Sequence, residues 1–126
     1  MRLEDYFEQN EGIGVLSTAD DQGNVNSAIY TAPHVSDIDT VAFIMRPRKS
    51  YSYVVDNPRA SFLFMVEESA YRGIRLTLEK TGENSDSDDV DSLRRSHRGG
   101  ADEGPSKIVY FKVTEIRPLV GEKLPE

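Results

Sequence analysis

Apolar positions along this chain change period several times, and each change marks a predicted element. Leu3, Tyr6 and Phe7 fall at i, i+3 and i+4, which predicts a short amphipathic helix that Gly12 and Gly14 end. Residues 14–18 then read as a strand. Asp20-Asp21-Gln22-Gly23-Asn24 is a turn signal, and residues 25–31 are the return strand. Pro33 and the polar run 36–39 break it. Residues 40–45 are mostly apolar without alternation, so this strand is expected to be buried on both faces. Tyr51, Val54 and Val55 recur at helical spacing and predict a helix over 50–57. Residues 60–67 form the most hydrophobic strand. Ile74, Leu76 and Leu78 alternate with Arg75, Thr77 and Glu79 in a strand over 74–80. A last strand over 107–116 sets Val109, Phe111 and Val113 against Tyr110, Lys112 and Thr114.

Between those last two strands the pattern collapses. Residues 83–105 are polar and charged, and Gly-rich at their end. Asp86 or Ser87 can cap a helix reaching about Arg95, acidic at its start and basic at its finish, as the dipole favours. Its large apolar residues are Val90 and Leu93 alone, so it is expected on the surface, with residues 99–105 mobile. No internal repeat is present. About six strands with tight turns and short helices predict a mostly β fold, a six-stranded antiparallel barrel with helices at its rim, rather than a doubly wound parallel sheet. A barrel this small fills its interior with side chains. A sizeable ligand is then expected outside it or between two subunits.

Composition narrows the function classes. A length of 126 residues suits one domain, 1–126. The formal charge of −7 argues against general nucleic-acid binding. The chain has no cysteine, which removes disulfides, thiolate catalysis and thiolate metal sites. No window approaches the ~20 apolar residues of a membrane span. The acidic N-terminus lacks the apolar core of a secretory signal, so a cytoplasmic location is expected.

Against that acidic background, residues 43–58, FIMRPRKSYSYVVDNP, stand out. An apolar strand runs into Arg46, Arg48 and Lys49, and Ser50 follows where the helix begins. Strand, basic turn, hydroxyl and helix N-terminus together can cradle a phosphate, because free backbone N–H groups and the helix dipole favour an anion there. The competing reading is a solvated basic loop with Ser50 as a cap. His34, after Ala32-Pro33, has no neighbouring spacing that suits a metal, and a structural role is expected for it. His97 is expected to be solvated. Asp86–Asp91 lacks the glycine and terminal glutamate of a calcium loop. Tyr30, Phe43, Phe62, Phe64 and Phe111 are expected in the core. No Gly-x-Ser-x-Gly elbow, Walker loop or Gly-x-Gly-x-x-Gly occurs.

Three stretches in order, GVLSTADDQGNVNSAIYTAPHV, VAFIMRPRKSYSYVVDNPRASFLF and YRGIRLTLEKT, resemble the pyridoxamine 5′-phosphate oxidase-like, FMN-binding split β-barrel family, in its short single-domain branch. They cover roughly two thirds of the chain, and the second is the specific one. The resemblance implies a homodimeric FMN flavoprotein, an oxidoreductase with two sites at the subunit interface. It implies that Arg46, Arg48, Lys49 and Ser50 hold the phosphate. It places the ring near Ser27, Ala28, Ile29, Phe43, Ile44 and Met45, and Arg75 near the pyrimidine edge, where a cation favours the reduced flavin. Tyr110 or Phe111 of the partner would complete the pocket. The order Arg48-Lys49-Ser50 departs from the family's usual Ser-Arg-Lys. The oxidase's C-terminal substrate segment is unmatched, so pyridoxamine phosphate oxidation itself is not expected. Other readings are a flavin carrier or redox sensor, a haem or deazaflavin binder with His34 as the candidate haem ligand, and a ligand-free interaction domain. In the non-enzymatic sheet reading, Arg75 would pair with Glu79 or Glu83.

Overall fold

The computed structural model describes residues 1–67, 71–95 and 105–121. In order they form α1 (Leu3–Gln9), β1 (Gly12–Ala19), β2 (Val25–Tyr30), β3 (His34–Asp37), β4 (Thr40–Met45), α2 (Lys49–Asp56), β5 (Arg59–Val66), β6 (Gly73–Asn84), α3 (Ser87–Arg95) and β7 (Lys107–Pro118). The strands make one antiparallel sheet in the order β2-β1-β5-β6-β7-β4-β3. The expectations for residues 99–104 and His97 lie outside the described residues.

Two expectations about the sheet are corrected. It has seven described strands rather than six, and its backbone pairing does not close into a barrel. The added strand is β3, in the segment whose proline and polar residues suggested a break. Pro33 ends β2, but His34 and Val35 still pair with Ala42 and Val41. The Ile38 amide donates to Asp37 Oδ1 at 2.7 Å, which stabilises the turn back into β4. A short polar strand suits a sheet edge, where one side faces water. The other edge is β2, so the two free edges are joined by only residues 31–33. The sheet curls until Tyr30, on β2, packs edge-on against Phe43 of β4, with ring centroids 5.6 Å apart. The seam between those edges stays open, and it is where the candidate site lies.

Gly12 and Gly14 belong to β1 instead of ending the helix. A β-carbon on Gly14 would run into the Phe62 ring and the Tyr30 carbonyl, so only glycine lets β2 approach so closely. The inner face of the curl holds Leu16, Val41, Phe43, Met45, Phe62, Phe64, Leu76, Leu78, Val109 and Phe111. Phe62 meets Phe43 at 5.1 Å and Phe64 at 6.3 Å. Helix α2 crosses from β4 to lie against β1 and β2, with Val54 turned into the core. Helix α3 lies on the surface, as its composition suggests, with Val90 its one buried residue. It packs on the outward side of β4 and β7, where Val90 is buried with Ala42 and Ile108, and Ile44, Leu93 and Tyr110 flank them. This explains the unbroken apolar run of β4: odd positions face the core and even ones face α3. Among the described residues no helix is long and apolar enough to cross a membrane.

Candidate anion-binding cleft

The β4–α2 junction follows from its sequence. Pro47 cannot continue the ladder, and Arg48 takes an extended conformation (φ −120°, ψ −170°) before the helix starts at Lys49. No side chain caps that start. Its orphan N–H groups therefore remain for water or a ligand. Ser50, expected as the first helical residue or its cap, instead occupies the second position of the helix and is 6% exposed. Asn26 Nδ2 donates to Ser50 Oγ at 3.1 Å, which ties the helix start to β2 across the seam. The Tyr30 phenol is pushed up by burial, opposed by a hydrogen bond with Ser50 and the charge of Arg48. Asn26, Tyr30, Arg48 and Ser50 are thus one polar group at the mouth of the seam.

The seam opens into a cleft of about 420 Å³, within the usual range for small-ligand sites. One wall is β2, with Asn26, Ala28, Ile29 and Tyr30. The strap 31–33 and His34 form its end, and Ala42, Phe43 and Ile44 the opposite wall. Arg46, Arg48, Lys49 and Ser50 lie at the helix start, with Leu93, Arg94 and Ser106 beside them. Among the described residues, four arginines or lysines and no carboxylate line this space, on a chain of net charge −7. That segregation favours an anion and disfavours a cation.

Of the residues singled out from sequence, Ala28, Ile29, Phe43, Ile44, Arg46, Arg48, Lys49 and Ser50 meet here. The others lie elsewhere in this chain. Ser27 points to the outward face and is hydrogen-bonded to Ser17 at 2.9 Å. Met45 and Phe111 are buried in the core, and Tyr110 flanks α3. Arg75 donates through Nε to the Pro118 carbonyl at 2.9 Å and through Nη2 to the Gly121 carbonyl at 2.5 Å. His34, the candidate haem ligand, also lines the cleft, and the lining residues that sequence reading did not assign to a site include Asn26, Tyr30, Leu93, Arg94 and Ser106. Period-two alternation from Ala28 would have found Asn26 and Tyr30. Nothing local marks Leu93, Arg94 or Ser106, which the chain brings back from about fifty residues away.

A charged cluster holds α2 in place from behind. Tyr51 Oη donates to Glu83 Oε1 at 2.8 Å, and Lys107 Nζ donates to Tyr51 Oη at 3.0 Å and to Glu83 at 3.1 Å. Lys80 pairs with the other Glu83 oxygen at 2.8 Å. The Lys80 hydrogen bond, followed by that from Tyr51, lowers Glu83 to a pKa of about 2. The first turn of α2 is thereby anchored to β6 and β7 while its N-terminus faces the cleft.

No protein-family model matches the sequence, and no curated protein matches it. Solved structures do. An FMN-binding protein from Syntrophomonas wolfei subsp. wolfei superimposes with a TM-score of 0.80 at 17% identity, over 97% of this chain and 86% of that one. HupZ from Group A Streptococcus gives 0.72 at 15% identity, over 93% and 90%. A candidate pyridoxamine 5′-phosphate oxidase from Lactobacillus delbrueckii gives 0.67 at 12% identity, over 90% and 88%. At such identities the likeness is one of fold, and it is the fold of the family that the three sequence stretches resemble.

Proposed function

We propose that this chain, which has the fold of the pyridoxamine 5′-phosphate oxidase-like proteins, is an FMN-binding flavoprotein of the split-barrel type and acts as an oxidoreductase. The observation that carries this reading is the cleft at the seam: three cations and a buried hydroxyl gathered at an uncapped helix start, with no carboxylate in the lining among the described residues. That donor set fits a phosphomonoester. Arg46, Arg48, Lys49 and Ser50 would hold the phosphate, and Ala28, Ile29, Phe43 and Ile44 would offer apolar contact to the ring. Bound FMN would supply hydride or electron transfer between a nicotinamide or other donor and a small molecule. The chain's own residues bind, orient and exclude water.

The proposal includes a homodimer. The outward face of β2, β1 and β5 exposes Ile13, Val25, Ile29, Leu63 and Met65. The register aligns Ile29, Val15 and Leu63 across three strands, and Ile13 with Met65. Val25 and Ile29, on the edge strand β2, are 79% and 73% exposed and continue this apolar face to the sheet edge. Ile29 also lines the cleft, so a two-fold partner on this face would complete the site. The residues placed away from the cleft, Ser27, Met45, Arg75 and Phe111, would touch the cofactor only through such an assembly or a rearrangement. Leu63→Arg is expected to give a monomer by light scattering and to lower FMN retention; an unchanged mass would remove this interface.

NADH or NADPH oxidation with FMN-loaded protein and a quinone acceptor separates enzyme from carrier. Multiple turnovers support the oxidoreductase, whereas tight FMN binding without turnover supports the carrier. A second reading, a haem binder, is favoured by one observation: His34 lines the same cleft. It requires a Soret band that His34→Ala abolishes.

A further inference from the structure

The cleft's fourth cation comes from a different element than the three at the β4–α2 junction. Arg94 reaches it from α3, the helix laid over β4 and β7. An arginine in a last helical turn ordinarily complements the dipole from solvent, and the adjacent Arg95 is exposed as that role requires. The Arg94 side chain is only 11% exposed. Its partner Asp91 is 3.7 Å away and 55% exposed. An ion pair that long and that wet does little to offset the desolvation of a guanidinium. On the same wall the Ser106 hydroxyl is buried and has no hydrogen-bond partner among the described residues. A largely desolvated cation and an unsatisfied hydroxyl therefore lie beside one space, and no carboxylate lines it among the described residues.

We infer that Arg94, with Ser106, is a second anion-recognition point, separate from the cradle at α2, and that it selects a substrate carrying a carboxylate, sulfonate or phosphate. The inference rests on reading the cradle as the cofactor's phosphate site, which leaves Arg94 for the second ligand. A guanidinium suits this task because its planar donors bind such groups in pairs. Its position on α3 separates the specificity element from the cofactor-holding one. The long polar segment between β6 and β7 thereby gains a purpose: it delivers a cation to the cleft from outside the curled sheet.

The test is a titration of the protein with inorganic phosphate, following the guanidinium NMR resonances of Arg94 and Arg48. These are assigned from Arg94→Gln and Arg48→Gln, then followed again with FMN at saturation. Two separate saturable responses are expected without FMN. Arg94→Gln should remove one and leave the affinity of the other within about twofold, and Arg94→Lys should retain a weakened second site. With FMN bound, Arg94 should still respond. An Arg94 resonance that phosphate does not move would overturn the inference, as would one that moves only together with Arg48 or is blocked by FMN. If FMN does not bind but Arg94 still responds, the cofactor reading fails and the second anion point stands. If Arg94→Gln fails to fold, loss of the same guanidinium resonance in Arg94→Lys supplies the assignment, and the wild-type titration still decides the matter.

Discussion

Two hollows share the strap formed by residues 31–33 and His34, and they carry opposite charge. On one side is the cleft with Arg46, Arg48, Lys49 and Arg94 and, among the described residues, no carboxylate. On the other is a groove under α1, lined among the described residues by Glu4, Glu8, Glu11 and Glu67 and by no arginine or lysine. The net charge of −7 describes the second hollow and conceals the first. The lesson is that charge has to be read at the scale of the Debye length, about 10 Å, rather than of the chain. The two differ in construction as well. In the cationic cleft a part-buried hydrogen bond cross-links Asn26 to Ser50, and behind it the exposed Tyr51–Glu83 bond ties α2 to β6. The acidic groove sets side chains of a seven-residue helix beside loop residues.

Neutralising each hollow tests that contrast with the largest expected effect. Arg48→Gln combined with Lys49→Gln removes two charge-assisted contacts, each worth about 1.5–3 kcal/mol. FMN affinity by calorimetry should fall about 100-fold or more. Glu4→Gln combined with Glu8→Gln should change it by less than about twofold, because those charges lie across the strap. Equal effects from the two pairs would show that only net charge matters.

Loosening the anchor behind α2 sharpens the comparison further. Tyr51→Phe deletes the hydroxyl that accepts from Lys107 and donates to Glu83. About 1 kcal/mol of stability should be lost, with FMN affinity reduced a few-fold because the helix start is less fixed. Denaturant unfolding and calorimetry on one preparation check both.

The smallest effect is with pH. Glu83 is lowered in the folded chain from 4.5 to about 2, first by Lys80 and then by Tyr51. A depressed carboxylate stabilises the fold at pH values above its unfolded pKa. That contribution is lost as pH falls from near 4.5 toward 2. Discounted for solvent screening, it is about 1 kcal/mol. Glu83→Gln should flatten the melting-temperature profile in this window and leave its shape above it unchanged. A variant that melts with the same acid limb as wild type would contradict the assignment.

Most of the sheet was legible because its strands alternate or run apolar for stated reasons. The first half of β6 buries Ile74, Leu76 and Leu78, and β7 buries Val109 and Phe111 with Val113 half-buried, as the period-two pattern selects, while β5 alternates in burial without alternating in polarity. β3 was not legible, since an edge strand of four residues needs no apolar face and its partner is fixed by tertiary contact. Gly12 and Gly14 misled because a glycine that ends a helix and one that admits a neighbouring ring look alike in sequence. The run RPRKS marked one end of the cleft, where cations, hydroxyl and helix start are contiguous in the chain. The other walls depend on curling. Tyr30 reads as a core aromatic and does pack on Phe43, yet its phenol reaches the cradle. Arg94 reads as a dipole complement, and only the docking of Val90 and Leu93 brings it inside.

Comparing FMN with riboflavin by equilibrium binding to the wild-type chain isolates the phosphate, the only group by which the two ligands differ. If the cleft is built around that anion, FMN should bind about 100-fold more tightly or better, a difference of about 2.7 kcal/mol. It should also survive desalting with flavin bands near ~450 and ~370 nm, and the preference should collapse in Arg48→Gln. Equal affinities for the two, or a protein that stays colourless with both, would contradict a phosphate cradle at the start of α2.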